Sequence, residues 1–435
     1  MCRTWTGSLN SKSPAGLAGH KMMPLLARPA GQSGSQQPAS FNPRKKIVSA
    51  PLPALLHAGF VLTGVVNTML GPLLPILSVR WKLNDTQAGL LFTSQFAGSM
   101  LGVAASSFVA PRWGSRVSLV LGLGMMALGT GALELATWDL GILLAFVFGT
   151  GLGLTIPTTH LLVSELNPGR RAAALNLVNL SWGIGAVGCP FCVAGLQGMN
   201  RGPLLLYGTA GLLVLLTVVL TRVSFGDSHQ HGAPDVMSSS PGKSIWRSRY
   251  VPILGAIFFL YVGSETAVGG WTASYARRMI STSGAYWAIM PSFFWAALLV
   301  GRAVGSLLLR HVPELMLARL GLGLSALGIL ALHSAKNTSA LAISVGCAGL
   351  GFSTVYPIAI AMLSHTFGAM ASRIAGLMFM LAGLGGATLP WLVGYASTWY
   401  GSLKFGLLVP LGGCFAMLIM YGLLSEPGKA SDMAG

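Results

Sequence analysis

The sequence predicts an all-α polytopic membrane protein, with twelve transmembrane helices in two parallel six-helix repeats. Three observations predict it. The chain is 53% hydrophobic and only 9% charged, with 58 glycines among 435 residues, whereas soluble domains run near a quarter charged. Its apolar residues fall in continuous runs, each long enough to cross about 30 Å of hydrocarbon. A motif in the first half returns in the second at a near-constant offset. In lipid only helices and closed barrels satisfy every backbone polar group. A barrel would show short alternating segments rather than these runs.

The chain begins with a polar stretch, residues 1–48, rich in Ser, Gly, Pro and Gln. It carries Arg3, Lys12, Lys21, Arg28, Arg44, Lys45 and Lys46 and no acid. It lacks the apolar core of a signal peptide and reads as a disordered cytoplasmic tail; the alternative is an over-long gene start, with Met22 or Met23 as the true beginning. Twelve apolar spans follow, near 51–78, 87–109, 117–137, 140–164, 173–197, 203–222, 251–276, 284–309, 316–333, 338–363, 373–397 and 404–424. Short loops join them, except between the sixth and seventh. There the polar stretch 223–249 holds Asp227, His229, His231, Asp235, Lys243, Arg247 and Arg249. The expected layout is a six-helix bundle over 49–222, a cytoplasmic linker over 223–249, a second bundle over 250–425 and a tail over 426–435.

Net charge is +17. On a soluble chain this would suggest nucleic acid; here topology explains it, and no nucleic-acid partner is expected. With the N-terminus inside, cytoplasmic segments hold 19 of the 27 Lys and Arg, outer loops hold seven, and Arg302 lies within a span. Positive residues collect on the cytoplasmic side. The expected location is therefore an inner or plasma membrane with both termini cytoplasmic.

The repeat is specific. Leu121-Gly-Leu-Gly-Met-Met-Ala-Leu-Gly129 returns as Leu320-Gly-Leu-Gly-Leu-Ser-Ala-Leu-Gly328, an offset of 199. Gly102 falls on Gly301 at the same offset, and Pro157, Gly185 and Pro190 fall on Pro357, Gly385 and Pro390 at 200. Parallel halves related by an axis along the membrane normal are a transporter plan, with the substrate site between them at mid-membrane.

This layout resembles the major facilitator superfamily. Ala110-Pro-Arg-Trp-Gly-Ser-Arg116 is similar to its cytoplasmic signature loop through Arg112, Gly114 and Arg116, with Pro111 where that pattern carries Asp. Within the superfamily the fucose-permease-like, sugar-permease branch is the best match. It is suggested by Gly71-Pro-Leu-Leu-Pro75, Leu175-Asn-Leu-Val-Asn179, Tyr261-Val-Gly-Ser-Glu265 and Gly385-Gly-Ala-Thr-Leu-Pro390. The resemblance implies a secondary transporter with an alternating-access site. Fucose permease has carboxylates in its first and fourth helices; here Asn67 stands in the first-helix region and span four has no mid-span acid.

The residues that could carry transport are polar groups inside the spans. Glu265 is the only acid in the 26 residues from Val251 to Ala276. An ionisable residue there is costly and marks a functional site, so Glu265 is the expected proton carrier, with His160 as a further relay candidate. Asn67 lies beside the repeat position of Glu265, and Gln95, Asn176 and Asn179 are further candidates for binding solute; helix-to-helix hydrogen bonding is the plainer role for such amides. Arg302 either snorkels toward Arg310 or faces the cavity as a charge partner. At 1.5 Å per residue, Glu265 lies about 21 Å from the start of its helix, so contact with Arg302 would need both side chains extended. Tyr261, Trp271, Trp182, Trp295 and Tyr356 lie within spans and suit the apolar face of a sugar or a drug-like ligand.

Cys189-Pro-Phe-Cys192 has redox or metal spacing but sits in an apolar run, where two small residues on one helical turn is the simpler reading. No phosphate loop or catalytic constellation is present, so neither enzyme activity, cofactor nor metal is expected. The expected function is proton-coupled transport of a small polar solute, with a sugar as candidate. A drug-type efflux antiporter of the same fold and a transport-dead sensor or scaffold are the alternatives.

Overall fold

The computed structural model describes residues 51–223, 225, 248–279 and 284–424. The basic tail 1–48, nearly all of the 223–249 linker and the 426–435 tail lie outside them. Among the described residues every regular element is helical. The first span is α1 (Leu52–Thr68) and α2 (Leu70–Arg80), bent by 43° at Met69. Pro72 lies just past the bend; it has no N–H to offer the Thr68 carbonyl. Spans two to six are α3 (Asp85–Trp113), α4 (Ser115–Ala132), α5 (Trp138–Leu166), α6 (Arg171–Gly198) and α7 (Pro203–Arg222). Spans seven to nine are α8 (Tyr250–Met279), α9 (Met290–Leu308) and α10 (Glu314–Ser334). Span ten divides into α11 (Thr338–Phe352) and α12 (Val355–Phe367). Span eleven is α13 (Ala371–Tyr400), and span twelve joins α14 (Leu403–Gly406) to α15 (Leu408–Leu423). Eleven helices among the described residues are long and apolar enough to cross a membrane, and the bent pair makes twelve.

Local chemistry sets the ends. Asn84 caps α3 by accepting from the Gln87 amide at 2.8 Å, while Gln87 reaches back to the Asn84 amide at 3.1 Å. This reciprocal cap starts the helix at Asp85, two residues before the apolar run. Asn337 caps α11 through the Ala340 amide at 2.8 Å. Gly114, at φ +89°, separates α3 from α4 in a conformation that L side chains rarely adopt.

The two halves are built alike. In the first, a Cβ on Gly64 would lie 2.1 Å from the Trp182 carbonyl oxygen, and one on Gly185 would lie 1.9 Å from that of Val61. The repeat positions behave the same way: Gly263 lies against the Gly385 carbonyl at 2.7 Å and Gly385 against that of Phe259 at 1.9 Å. Thus α1 crosses α6 as α8 crosses α13, backbone on backbone. Small residues permit such approach where lipid offers no hydrophobic drive to pack helices. A further device is duplicated. Arg116 of α4 donates through Nε to the Leu220 carbonyl at 3.2 Å and through Nη2 to that of Thr221, and Arg319 of α10 donates to the Tyr421 carbonyl at 2.6 Å. Each arginine satisfies terminal carbonyls of the sixth helix of its own half and opposes its dipole.

Between the halves, α2, α3 and α6 pack against α8, α9 and α13. Along α3 and α13 the contact changes in character. At the end bearing Arg80, Gly394 lies against the Asp85 carbonyl and Gly89 against the Trp391 backbone. Further along, the Phe96 ring covers Gly386 and the Met100 side chain covers Gly383. The spacer changes from backbone to side chain, so the halves close at the Arg80 end and diverge toward Arg112. Ion pairing reinforces the closed end. Arg278 donates to both oxygens of Asp85 at 2.7 and 2.5 Å, Ser397 donates to Asp85 Oδ2 at 2.5 Å, and Arg277 donates to the Pro75 carbonyl at 2.6 Å.

Candidate functional site

The seam between α2 and α8 fixes the site's position. A Cβ on Gly71 would lie 3.2 Å from the Gly269 carbonyl oxygen, so the backbones nearly touch there. Asn67 is four residues before Gly71 and Glu265 four before Gly269. Both therefore lie about one helical turn from the same crossing, on the side toward the diverging end.

In the second half Glu265 gathers a cluster. Its Oε1 accepts from the Tyr261 hydroxyl at 2.9 Å and lies 3.7 Å from Arg302 Nη2. The carboxylate side chain is 13% exposed and the arginine 33%. Arg302 thus reaches Glu265 rather than snorkelling to the helix end. Tyr261 is fully buried, with its ring centroid 5.5 Å from Tyr356 and 6.0 Å from Phe352. Arg302 Nε is shut off from solvent and has no hydrogen-bond partner among the described residues.

The first half contributes amides and an imidazole. Gln95 is buried; its Nε2 donates to the Asn67 carbonyl at 3.1 Å and to Asn67 Oδ1 at 3.2 Å. Its Oε1 is buried without a partner. His160 Nε2 lies 3.2 Å from Asn179 Oδ1, and its ring centroid is 5.2 Å from that of Phe60. Asn176 is exposed on α6. The halves meet over these groups through Trp182 of α6 and Trp295 of α9, whose rings stand edge to face at 5.7 Å. The Trp295 ring also covers Gly269 of α8, one turn from Glu265.

The candidates thus fall into four groups: Glu265 with Tyr261, Arg302 and Tyr356; Asn67 with Gln95; His160 with Asn179; and Trp182 with Trp295, while Asn176 stands apart on the exposed face of α6. Trp271, expected to line the site, is instead fully buried in this conformation. Its Nε1 donates to the Pro390 carbonyl at 2.8 Å and its ring lies 6.4 Å from Phe92, so it packs the closed seam. Of the loop residues, Arg116 is the clamp on α7, while Arg112 lies over the Phe108 ring at 5.2 Å. Cys189 is buried and Cys192 exposed, both as free thiols.

Sequence reasoning missed the Asp85–Arg278 pair, which joins residues 193 apart; only the Asn84 cap beside Asp85 hints at a helix start there. It also missed Thr93, whose hydroxyl donates to the Ala387 carbonyl across the seam at 2.6 Å.

The repeat makes the site's asymmetry measurable. Tyr261, Glu265, Arg302 and Tyr356 correspond to Leu62, Val66 and Val103 at an offset of 199 and to Ile156 at 200. All four first-half counterparts are aliphatic. In return Gln95 corresponds to Phe294, and His160 and Asn179 to Ile360 and Phe379. The scaffold is duplicated; the polar load is not.

A model of the Major Facilitator Superfamily matches residues 56–390. The chain belongs to that superfamily. It is 24% identical over 398 residues to a glucose/galactose transporter of Brucella abortus, covering 84% of this chain and 92% of that one. It is 22% identical over 411 residues to the L-fucose-proton symporter of Escherichia coli, covering 85% and 91%. Among solved structures, the inward-open xylose transporter XylE of E. coli superposes with a TM-score of 0.67 at 13% identity, over 86% of this chain and 96% of that one. The superfamily member described here is an integral membrane transporter of two parallel six-helix halves, with the Asp85–Arg278 pair across its closed seam and the Glu265–Arg302 pair one turn from the crossing of α2 and α8.

Proposed function

We propose that the chain is a proton-coupled transporter of a small polyhydroxylated solute, working by alternating access, with Glu265 as the coupling carboxyl. The observation that carries this is the Glu265–Tyr261–Arg302 cluster, a buried acid beside a cation one turn from the crossing of the two halves. At 3.7 Å and an effective dielectric near 20, the attraction between full charges is about 4 kcal/mol. Protonating Glu265 removes that attraction, so the proton state of one carboxyl alters the electrostatics of the whole cavity. His160, held by Asn179, is the group positioned to exchange protons with the diverging end. Amides and aromatic edges are what a polyol requires: paired donors and acceptors with an apolar wall. The sugar transporters among the relatives fit this class.

The Lys/Arg distribution orients the chain with both termini in the cytoplasm. The Arg80 end then faces outward and is closed. In proteoliposomes containing a trapped pH indicator, adding transported solute should acidify the lumen with no imposed gradient. Solute uptake unaccompanied by any proton movement would refute the coupling. The orientation has its own measurement. On a background without native cysteines, Ala387→Cys lies behind the Asp85–Arg278 pair. Adding Asp85→Asn should speed labelling of that cysteine by an external impermeant thiol reagent several-fold, because the lost charge-assisted bonds favour the opened seam. Faster labelling only from the cytoplasmic side would reverse the assignment.

A further inference from the structure

Arg302 has more binding capacity than its neighbours use. A guanidinium presents five N–H donors in a planar fork. The acidic group nearest to it among the described residues is Glu265, at 3.7 Å, beyond hydrogen-bond length. Nε is buried and unpartnered among the described residues, while a third of the side chain is exposed. The Tyr261 hydroxyl directs its proton to Glu265 and turns its oxygen to the Arg302 guanidinium, a contact that occupies only part of that fork. Tyr356, packed against Tyr261 at 5.5 Å, brings a phenol and no acid. Across the seam stand Asn67 and Gln95, which are neutral, and on α5 His160, which is neutral or cationic.

We propose that the solute carries a carboxylate, that Arg302 binds it, and that the proton on Glu265 is what frees Arg302 to do so. This rests on the coupling role assigned to Glu265 above. Four occupancies are possible, and net charge in a water-poor cavity separates them. Empty and deprotonated, the pair Glu265⁻ and Arg302⁺ sums to zero. Protonated and carrying a carboxylate, the set again sums to zero. Protonated and empty, it leaves an uncompensated cation; deprotonated and loaded, an uncompensated anion. An unpaired charge out of water is strongly disfavoured. Only the two neutral states are suited to the closed cavity that must form between inward and outward access. One proton therefore moves with one carboxylate, through charge balance alone.

The rest of the cluster narrows the class. Gln95 Oε1 is a buried acceptor without a donor, which a solute hydroxyl would satisfy. Trp182 and Trp295 supply an apolar wall. A small hydroxylated carboxylate, of the sugar-acid type, matches all three features, and Arg302 is the residue that selects it over the neutral sugar.

The discriminating property is electrical. A proton moving with a monoanion transfers no net charge, whereas a proton moving with a neutral sugar transfers one. Purified full-length protein in proteoliposomes would be offered D-galacturonate, D-gluconate and D-galactose. Uptake of at least one of the two acids is expected to follow an imposed pH gradient and ignore an imposed potassium-diffusion potential. Both acids are expected to bind about tenfold or more tightly than galactose. Arg302→Gln should abolish that preference, and Arg302→Lys, which keeps the charge but loses the fork, should retain part of it. In Glu265→Gln, acid binding should no longer weaken as pH rises. If galactose binds as well as the acids and its uptake responds to the diffusion potential, this proposal falls and the coupling role of Glu265 stands. If no solute moves protons, both fall. Preference for the acids surviving in Arg302→Gln would overturn the assignment of Arg302.

Discussion

Glu265→Gln is expected to lose uphill accumulation of solute while keeping solute exchange. With one proton moved per solute, a gradient of one pH unit stores about 1.4 kcal/mol and supports about tenfold accumulation. In the variant that ratio should fall to about one. Gln matches Glu closely in size and cannot ionise, so the cavity keeps its shape and the Tyr261 hydroxyl keeps an oxygen to donate to. Exchange needs the loaded site to face each side in turn but requires no release of a proton. Counterflow of labelled solute, measured beside gradient-driven uptake in the same vesicles, separates the two functions. Accumulation undiminished in Glu265→Gln would exclude Glu265 as the coupling group. Loss of both activities would instead make it a direct ligand of the solute.

Gly185→Ala should destabilise the fold more than its single methyl group suggests. The added Cβ would stand 1.9 Å from the Val61 carbonyl oxygen. Both partners are backbone, so no side-chain rotation relieves the clash and α6 must move off α1. Overpacking of this kind costs about 1–3 kcal/mol or more, a large part of a total stability near 5–15 kcal/mol. Gly385→Ala, 1.9 Å from the Phe259 carbonyl oxygen, should behave the same way because it is the repeat position. Gly188→Ala, on the same helix as Gly185 with nothing within 4 Å, is the control. It should melt at or slightly above the parent temperature, since Ala favours helix over Gly by about 1 kcal/mol. Melting in detergent, followed by loss of monodisperse protein, ranks the three. A parent-like Gly185→Ala would show that the helices do not cross as described.

The architecture was legible because hydropathy and repetition act along the chain. Continuous apolar runs marked the spans, and the run at Leu121 and Leu320 gave the register on which the mirrored glycine contacts fall. The superfamily followed from the same features. Glu265 stood out because one acid among apolar residues needs no structure to be noticed. Its partner was harder to read. Counting rise along a helix measures height, not direction, and extended side chains close the gap to Arg302. Trp271 shows the opposite limit, since an aromatic in mid-span fits a cavity wall and a packed seam equally well. The pairing of His160 with Asn179 depends on which faces α5 and α6 turn to each other. The Asp85–Arg278 pair depends on the fold of the whole chain. Charges at the ends of spans look alike in sequence whether they set topology or bridge the halves.

The graded seam between α3 and α13 has a mechanical consequence. Within each half the tightest crossings are glycine against carbonyl, which offer almost no slack. Between the halves, beyond the Asp85 end, the contacts are the Phe96 ring and the Met100 side chain lying over Gly386 and Gly383. A thioether with three rotatable bonds can change shape without moving a helix axis. Compliance is therefore concentrated in one strip, and each six-helix unit is stiff by comparison. Rocking one unit over the other calls for a few rotamer changes along that strip, not for repacking of either core. Stiffening the strip would slow the exchange of access and leave the two bodies themselves unchanged.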